Sequence, residues 1–269
     1  MSKIRRVAII GGNRIPFMRS NTAYSYASNM DMLSATLQGL VTRFDLDGER
    51  LGEVAAGAVM KHSRDFNLAR EATLNSGLAL ETPAYDVQQA CGTGLEAAIL
   101  VANKIALGQI DAGIAAGTDT ASDAPIALNE KYRRMILDLN KAKTMGQRLK
   151  TLLRFRPSFI LPSLPQNAEP RTGLSMGEHC ERMVKQWGIS REAQDELTWK
   201  SHQNLLSAYD EGFFDDLISS FEGVHRDGIM RDTPIEKLAK LKPAFDRENG
   251  SLTAANSTTL TDGAASVLL

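Results

Sequence analysis

The chain of 269 residues has only two cysteines, few aromatic residues and no long apolar run. Two cysteines cannot build a disulfide framework, so a reducing compartment is expected. No stretch approaches the roughly 20 consecutive apolar residues of a membrane-spanning helix. The apolar run at residues 7–10 is also too short for the core of a signal peptide. We therefore expect a cytoplasmic protein.

Net charge and metal-ligand patterns are scarce as well. The formal net charge is −1, which gives no overall attraction to nucleic acid or to anionic membranes, and we predict no nucleic-acid partner. None of the four histidines pairs with a cysteine or carboxylate at a metal-ligand spacing, so we predict no metal site. We interpret His202 and His225 as solvated surface residues, and Cys180, next to His179, as a structural helix residue. The four histidines are His62, His179, His202 and His225.

Short apolar runs alternate with longer segments of helical periodicity along residues 1–128. This alternation predicts an α/β layered domain. The helix predicted from Thr93 stops before Gly108, as expected for a glycine that follows a helix C-terminus. The predicted strands are residues 6–10, 54–60, 84–89 and 112–117, and the predicted helices are residues 30–44, 67–77 and 93–107.

The character of the chain changes near Asn129. Residues 131–165 hold nine basic residues and one acidic residue, and they end in the apolar, proline-rich stretch FILPSLP. Such a segment can rest on an anionic membrane surface or a partner; the alternative is a solvated helix and a loop that lines a channel. The pattern is helical over 175–232 and strand-like over 243–246 and 251–269. The α/β core (1–128 and 243–269) is thus predicted to carry a mostly helical insertion, 129–242.

The last residues, DGAASVLL, are apolar and have no polar tail. Natural termini are usually polar and frayed, and an apolar strand at a chain end needs neighbours that cover it. We interpret the sequence as part of a longer protein. The alternative is a buried C-terminal strand.

Cys91 lies where a predicted strand stops and a predicted helix begins. A helix N-terminus stabilises the thiolate, which is the reactive form of cysteine. Gly92 and Gly94 leave room around it for an acyl group and for backbone N–H donors, and a strand-to-helix turn is a known position for nucleophiles in α/β enzymes. The alternative is a buried core thiol, since free cysteine is often buried. The residue pattern alone leaves both interpretations open.

The stretch GGNRIPF follows the first predicted strand and invites a comparison with dinucleotide-binding loops. That fingerprint requires G-x-G-x-x-G at the start of a helix. Here Ile15 precedes Pro16, and a residue before proline avoids the helical region. The pattern therefore argues against nucleotide binding.

Four ordered segments resemble the thiolase family. The segment around Cys91, QQACGTGLEAAILVANKIALGQIDAGIAAGTDTASDAP, is similar to the nucleophile segment of thiolases. RIPF resembles an early Arg-Thr-Pro-Phe motif, and SMGEHCERMVKQWGISREAQDELTWKSHQ is similar to the loop-domain helix that starts at Met-Gly. KLKPAFDRENGSLTAANSTTLTDGAASVLL resembles the segment that closes the N-terminal half. The basic insertion, FILPSLP and SMGEH look most like the β subunits of fatty-acid-oxidation complexes.

The resemblance implies a fold, an activity and a set of ligand contacts. The fold would be one half of a layered α-β-α-β-α thiolase, with a helical loop domain inserted. Cys91 would be the acyl-accepting nucleophile in thiolytic cleavage of 3-ketoacyl-CoA, with coenzyme A as substrate and no further cofactor. A catalytic asparagine, an activating histidine and a second cysteine would belong to a second half, whose motifs do not occur here. The implied coenzyme A contacts are Met176, Arg231, Ala244, Phe245, Thr258 and Leu260.

The resemblance also implies partners and leaves alternatives. Thiolases are usually dimers or tetramers, and this branch associates with an α subunit. We expect a homodimer or tetramer in fatty-acid β-oxidation, with residues 131–165 as the docking segment. The other hypotheses are a non-catalytic acyl-CoA-binding or assembly module and biosynthetic formation of acetoacetyl-CoA. Ketoacyl synthases share the fold and a cysteine, but the Met-Gly helix and KLKPAF argue against them.

Overall fold

A computed structural model describes residues 4–269 of the chain. The described residues divide into two compact units, one formed by residues 4–123 and 177–269 and the other by residues 124–176. Within residues 4–269, no helix has both the length and the apolar character that crossing a bilayer requires. Residues 177–242 group with the first unit, and residues 124–176 form the second. The predicted insertion, residues 129–242, stays a prediction.

The first unit is built on one mixed sheet with helices on both faces. Its strands are β1 (Gly11–Arg14), β2 (Met18–Arg19), β3 (Glu53–Ala56), β4 (Ala84–Asp86), β5 (Gly113–Asp119) and β6 (Thr261–Leu268). Its helices are α1 (Asn29–Arg43), α2 (Leu68–Leu74), α3 (Thr93–Ala106), α6 (Met176–Trp187), whose first residue is in the other unit, α7 (Arg191–Asp210) and α8 (Ile235–Leu238).

The strand order is β1-β6-β5-β3-β4, and β2 pairs with the other end of β6. β3 is parallel to both β4 and β5, whereas β6 is antiparallel to β1 and β5. The last strand of the chain therefore lies inside the sheet. Leu269 exchanges two backbone hydrogen bonds with Gly113, so both the apolar run of β6 and its edges are covered by neighbouring strands.

Side chains of β3 and β5 alternate between two apolar layers, as the period of two in a strand requires. Val54 and Ile114 face α1 and α2. Ala55 and Ala115 face α3, where they meet Ala97. The small alanines allow α3 to approach the sheet closely, and this helix carries the turn with Cys91 at its start.

The helix prediction for residues 30–44 is confirmed by α1, whose N-terminus has a capping box between Ser28 and Asp31. The prediction for 93–107 is confirmed by α3, and Gly108 adopts a left-handed φ of +72° after its end. The strand predictions for 54–60 and 84–89 are correct in position but too long, because β3 ends at Ala56 and β4 at Asp86.

The predicted strand at residues 6–10 is wrong, since β1 begins at Gly11 and Ile10 contributes a hydrogen bond from its N–H to the Leu268 carbonyl at 2.9 Å. Ile9 and Ile10 are 74% and 60% exposed. Gly11 and Gly12 are the first two residues of β1. The neighbouring strand β6 lies so near that a side chain at Gly12 would press on the backbone oxygen of Ser266. The apolar run alone could not show where the partner strand begins.

The helical prediction for residues 175–232 is confirmed only as far as Asp210, where α7 ends. Gly212 follows with a left-handed φ of +74°, which stops the helix. From there to α8 the chain is irregular, and Ile218 forms a bridge beside Arg14. The predicted strands at 243–246 and 251–269 reduce to one bridge, between Pro243 and Thr253, and to β6.

The second unit, residues 124–176, contains two helices and one 3₁₀ turn. These are α4 (Glu130–Lys141), α5 (Met145–Leu152) and the 3₁₀ turn Pro157–Ile160. Tyr132 of α4 meets Phe155 edge to face, and Phe155 in turn meets Phe159. This small aromatic cluster joins α4 to the chain that follows α5.

Candidate active site

Cys91 lies on the turn between β4 and α3, and its residue is exposed. Thr93 holds this turn from within. Its hydroxyl accepts a hydrogen bond from the Gln89 N–H (2.9 Å) and donates one to the Ala90 carbonyl (2.7 Å). The Gly92 N–H closes the turn onto the Gln89 carbonyl at 3.0 Å. The turn that carries Cys91 is therefore held by the buried side chain of Thr93, the first residue of α3.

Ala90, immediately before Cys91, has a left-handed φ of +46°. This conformation costs an L-residue with a Cβ about 1–2 kcal/mol. Such strain persists only where the surrounding structure enforces it, and it concentrates at functional sites. The outlier supports the interpretation of this turn as a candidate site, and it argues against the alternative of a buried core thiol.

Cys91 opens onto a cleft of about 330 Å³. Four glycines face this space and leave it unfilled. A Cβ on Gly94 would meet nothing within 4 Å, so the entrance above the first turn of α3 is free. The lining residues of the cleft are Phe17, Gly57, Ala58, Val59, Ala90, Cys91, Thr93, Gly94, Gly117, Thr118, Asp119, Gly263, Ala264 and Ala265.

Asp119, at the end of β5, is the second ionisable group among these lining residues. Its carboxylate accepts hydrogen bonds from the backbone N–H groups of Val59 (2.8 Å) and Met60 (3.1 Å). Burial raises the pKa of Asp119, and these backbone donors act in the opposite direction. Asp119 therefore fixes the loop after β3 that forms one side of the cleft. No histidine is among the described residues that line the cleft.

Arg231 borders a small recess in the first unit, together with His202 and Trp199. One guanidinium nitrogen of Arg231 donates to the Ala254 carbonyl at 3.3 Å. Burial, and then the positive charge of Arg231, lower the pKa of His202. The interpretation of His202 as a solvated surface residue holds only in part, because the side chain is half-buried beside Arg231. His225 is exposed, as predicted.

Ala244 and Phe245 lie on a loop fastened to α6. The Ala244 N–H donates to the Leu252 carbonyl at 2.8 Å, and the buried carboxylate of Glu181 accepts from the N–H groups of Ser251 and Leu252 at 2.8 and 3.0 Å. A buried acid on α6 thus holds the loop that presents Phe245.

Asp246 adds a second tie between this loop and α6. The Lys185 ammonium, and then the N–H groups of Asn249 and Glu248, lower the pKa of Asp246 to about 2. The ring of Phe245 covers Gly177, the second residue of α6. Met176, which starts the helix, is 65% exposed. Phe245 therefore packs against α6 at Gly177.

Thr258 and Leu260 lie on the segment that enters β6, and both are exposed. The Thr258 hydroxyl donates to the Thr259 carbonyl at 3.2 Å, and the Leu260 carbonyl accepts from Ser20 N–H at 2.9 Å. Residues 263–265, just beyond them, line the cleft of Cys91. Thr258 and Leu260 thus lie on the chain that leads into the cleft.

Phe17, Thr93, Asp119 and His202 were not among the site residues predicted from the sequence. Thr93 carried a readable signal, because serine and threonine hydroxyls commonly hydrogen-bond to backbone groups of a neighbouring turn. The other three carried none, since each reaches its place through contacts with chain segments far away in sequence.

An exposed cysteine on a strained strand-to-helix turn, in a glycine-lined cleft of an α/β sheet, defines a candidate nucleophile site. The family model described as "Thiolase, N-terminal domain" matches residues 7–269. The chain therefore belongs to the thiolase family, and the α/β fold predicted from the sequence is confirmed.

Relatives and solved structures agree with this family. The 3-ketoacyl-CoA thiolases of Yersinia pestis (strain Pestoides F) and Yersinia pseudotuberculosis (serotype O:1b) are each 40% identical to the chain over 271 residues. These matches cover 98% of the chain but 62% of each relative, so the chain spans less than two thirds of their length.

A crystal structure of the Bacillus anthracis acetyl-CoA acetyltransferase superimposes with a TM-score of 0.81 at 28% identity, covering 100% of this chain and 66% of that one. The human mitochondrial 3-ketoacyl-CoA thiolase in complex with CoA gives a TM-score of 0.78 at 23% identity, covering 97% and 63%. The second likeness supports the fold alone.

Replacing Gly177 by alanine tests the surface formed by Phe245 and α6. The added Cβ would overlap the Phe245 ring, and because a ring can swing aside, we expect little loss of stability but a KM for coenzyme A raised roughly tenfold. Steady-state kinetics of the intact protein measure it. Gly146→Ala is the matched control, since Gly146 is also the second residue of a helix and its Cβ would meet nothing within 4 Å. An unchanged KM in Gly177→Ala would remove Phe245 from the coenzyme A surface.

Proposed function

We propose that the protein is a thiolase that cleaves 3-ketoacyl-CoA with coenzyme A, and that Cys91 is its nucleophile. The observation that carries the proposal is the exposed Cys91 at the start of α3, facing a cleft kept open by glycines. The names of the relatives, 3-ketoacyl-CoA thiolases, support the same reaction.

The chemistry proceeds in two covalent steps, each easier than direct cleavage. The Cys91 thiolate attacks the 3-keto carbon, the bond between C2 and C3 breaks, and its electron pair leaves as the enolate of acetyl-CoA. A proton donor converts this enolate into acetyl-CoA. The thiol of a second coenzyme A, losing its proton, then attacks the acyl thioester and releases the Cys91 thiolate and a shortened acyl-CoA.

The oxyanion formed in each step needs a donor near Cys91. We assign the backbone N–H of Cys91 to this task, since a turn that enters a helix presents its N–H groups to negative charge. In related acyl chemistry such a donor contributes about 3 kcal/mol to the transition state.

Proton transfer needs a further group. Cys91 and Asp119 are the ionisable residues of the described cleft lining, and Asp119 is committed to the loop at Val59 and Met60. A positioned acid or base adds about 10²–10⁴-fold. We therefore infer that residues 1–269 by themselves cleave substrate poorly, even where Cys91 is accessible.

Coenzyme A is proposed to lie along the surface that leads to Cys91. Arg231, beside His202, suits the phosphate and adenine end, because a guanidinium pairs well with phosphate. Met176, Ala244 and Phe245 would contact the ligand further along. Thr258 and Leu260, just before β6, would contact the pantetheine arm.

Trapping the acyl-enzyme tests the proposal directly. The intact protein, meaning residues 1–269 together with any sequence that flanks them, is incubated with a 3-ketoacyl-CoA in the absence of free coenzyme A. The reaction is then quenched in acid and the protein is digested. We expect the acyl mass on the peptide that contains Cys91, and its loss when coenzyme A is added before quenching. Binding of acyl-CoA without any acyl peptide would instead support a non-catalytic acyl-CoA-binding or assembly module.

The direction and setting of the reaction are further parts of the proposal. We propose degradation in fatty-acid β-oxidation, in the cytoplasm, by a homodimer or tetramer associated with an α subunit. Formation of acetoacetyl-CoA is the alternative direction, which the relation to an acetyl-CoA acetyltransferase of B. anthracis supports. Comparing rates on acetyl-CoA with those on longer 3-ketoacyl-CoA separates the two.

The segment 131–165 is proposed to bind an anionic lipid surface. Its nine basic residues accompany exposed apolar side chains, among them Leu152 (51%) and Leu153 (78%), and this mixture matches anionic headgroups with acyl chains beneath them. We expect the intact protein to float with phosphatidylserine-containing vesicles but not with phosphatidylcholine alone. Leu152→Ser with Leu153→Ser should weaken flotation. If the wild-type protein does not float, or if these substitutions leave flotation unchanged, the segment does not bind lipid in this way. An α subunit would then be the candidate partner of segment 131–165.

A further inference from the structure

Phe17 is the single aromatic side chain among the described residues that line the cleft of Cys91. The rest of the lining is glycine, alanine and other small or medium side chains. The Phe17 ring lies against Gly263 of β6, where a Cβ would overlap it. Phe17 and Cys91 line the same cleft, so the width of this cleft depends on where the ring is held.

The backbone of Phe17 is fixed on both sides by a segment more than 200 residues later. The Phe17 N–H donates to Asp227 Oδ1 at 2.6 Å, and the Phe17 carbonyl accepts from the Gly228 N–H at 2.9 Å. Pro16 precedes it and restricts the backbone further. These contacts leave the main chain at Phe17 little freedom to move.

Arg14 holds the ring itself. Its guanidinium donates two hydrogen bonds to Asp227, at 2.7 and 2.9 Å, and stacks over the Phe17 ring with 4.9 Å between Cζ and the ring centroid. Phe214 lies 5.0 Å from the same carbon. The side chains of Arg14 and Asp227 are 12% and 3% exposed, so this clamp is shielded from water. A forked ion pair of this kind fixes geometry as well as distance.

We infer that Phe17 determines which acyl groups Cys91 accepts, and that Asp227, with Arg14, is a positioning residue that holds Phe17 in place. The inference rests on the proposed function of Cys91 as acyl acceptor. A rigid ring in an otherwise small-residue wall limits the width available next to the thioester carbon. Acyl groups that branch at the carbon next to the thioester carbonyl should therefore be transferred more slowly than straight chains of the same size.

The test compares two isomeric thioesters, butyryl-CoA and isobutyryl-CoA, as acyl donors to Cys91 of the intact protein. Each transfer forms a thioester to the Cys91 sulfur and releases coenzyme A thiol, and intact-protein mass spectrometry follows its rate. Phe17→Ala should raise the isobutyryl-to-butyryl rate ratio roughly tenfold, which is the discrimination expected when a pocket gains room for about one methyl group. Phe17→Leu should raise it less. Phe66→Ala is the matched control, because Phe66 is 93% exposed and does not line the cleft.

Asp227→Ala should shift the same ratio in the same direction, and adding it to Phe17→Ala should produce no further shift. Because loss of one partner of a buried pair can prevent folding, Asp227→Asn is measured beside it. This variant keeps an oxygen for the Phe17 N–H, so its ratio should shift less. Asp210→Asn, which breaks an exposed pair with Arg226, should leave the ratio unchanged.

The outcomes separate this inference from the proposed function. A wild-type protein that takes up neither acyl group overturns the proposed function, and this inference with it. Normal acylation of the wild type with an unchanged ratio in Phe17→Ala overturns the inference alone. A shift by Asp227→Ala that persists in the Phe17→Ala background shows that Asp227 acts by another route.

Discussion

Replacing Cys91 by alanine is expected to abolish thiolysis, with a loss of about 10⁴-fold or more in kcat. The reaction proposed here depends on a covalent bond to the sulfur, and no other cysteine lines the described cleft. The substitution removes one exposed atom, so the fold should persist. Steady-state thiolysis of a 3-ketoacyl-CoA by the intact protein measures the loss, and circular dichroism verifies the fold.

The matched control for this experiment is Cys180→Ala. Cys180 is the other cysteine of the chain and lies half-buried in α6. Activity close to that of the wild type is expected, since its side chain is on the helix and not in the cleft of Cys91. If Cys91→Ala kept substantial activity, or if Cys180→Ala lost as much, Cys91 would not be the nucleophile.

Replacing Gly57 by alanine is expected to destabilise the protein by about 3 kcal/mol. Gly57 directly follows β3 and lies between Val87, just after β4, and Thr118 of β5. The Val87 N–H donates to the Ala56 carbonyl, and the Thr118 N–H donates to the Gly57 carbonyl. An added Cβ would overlap the Val87 carbonyl oxygen and press on the Thr93 side chain. The backbone of Val87 cannot withdraw without breaking the sheet, so the strain should appear in the free energy of unfolding.

Equilibrium unfolding in urea measures this effect. Gly117→Ala is the matched control, because Gly117 lies on β5 next to the same cleft and its Cβ would meet only ordinary contacts at 3.6 Å and beyond. We expect its free energy of unfolding to change by well under half as much. Equal midpoints for the two variants would mean that the space around Gly57 is not as tight as the structure has it.

Local sequence signals predicted well those elements that depend on nearby residues. Helix α1, helix α3 with its glycine stop and the strand-to-helix turn at Cys91 all follow from residues within a few positions of each other. The thiolase family was also recognisable from ordered motifs. These features needed no knowledge of which segments meet in space.

The same reasoning failed where a distant partner decides the outcome. The apolar run at residues 6–10 has the composition of a buried strand, yet β1 begins at Gly11 and the side chains of Ile9 and Ile10 are largely exposed. His202 looked like a surface residue until the fold set it beside Arg231. Pattern and propensity describe a segment's preference, whereas burial depends on neighbours that only the complete chain path supplies.

The sequence by itself determined the class of fold, the family and the candidate nucleophile, because each can be recognised from short motifs whose residues lie close together along the chain. Only the tertiary structure decided the shape of the site. The cleft at Cys91 is formed by segments around residues 17, 57, 91, 119 and 263, and the backbone N–H of Phe17 is bound by Asp227. Their meeting follows from sheet pairing and a buried ion pair across more than 200 residues, and no local pattern in the chain encodes such contacts.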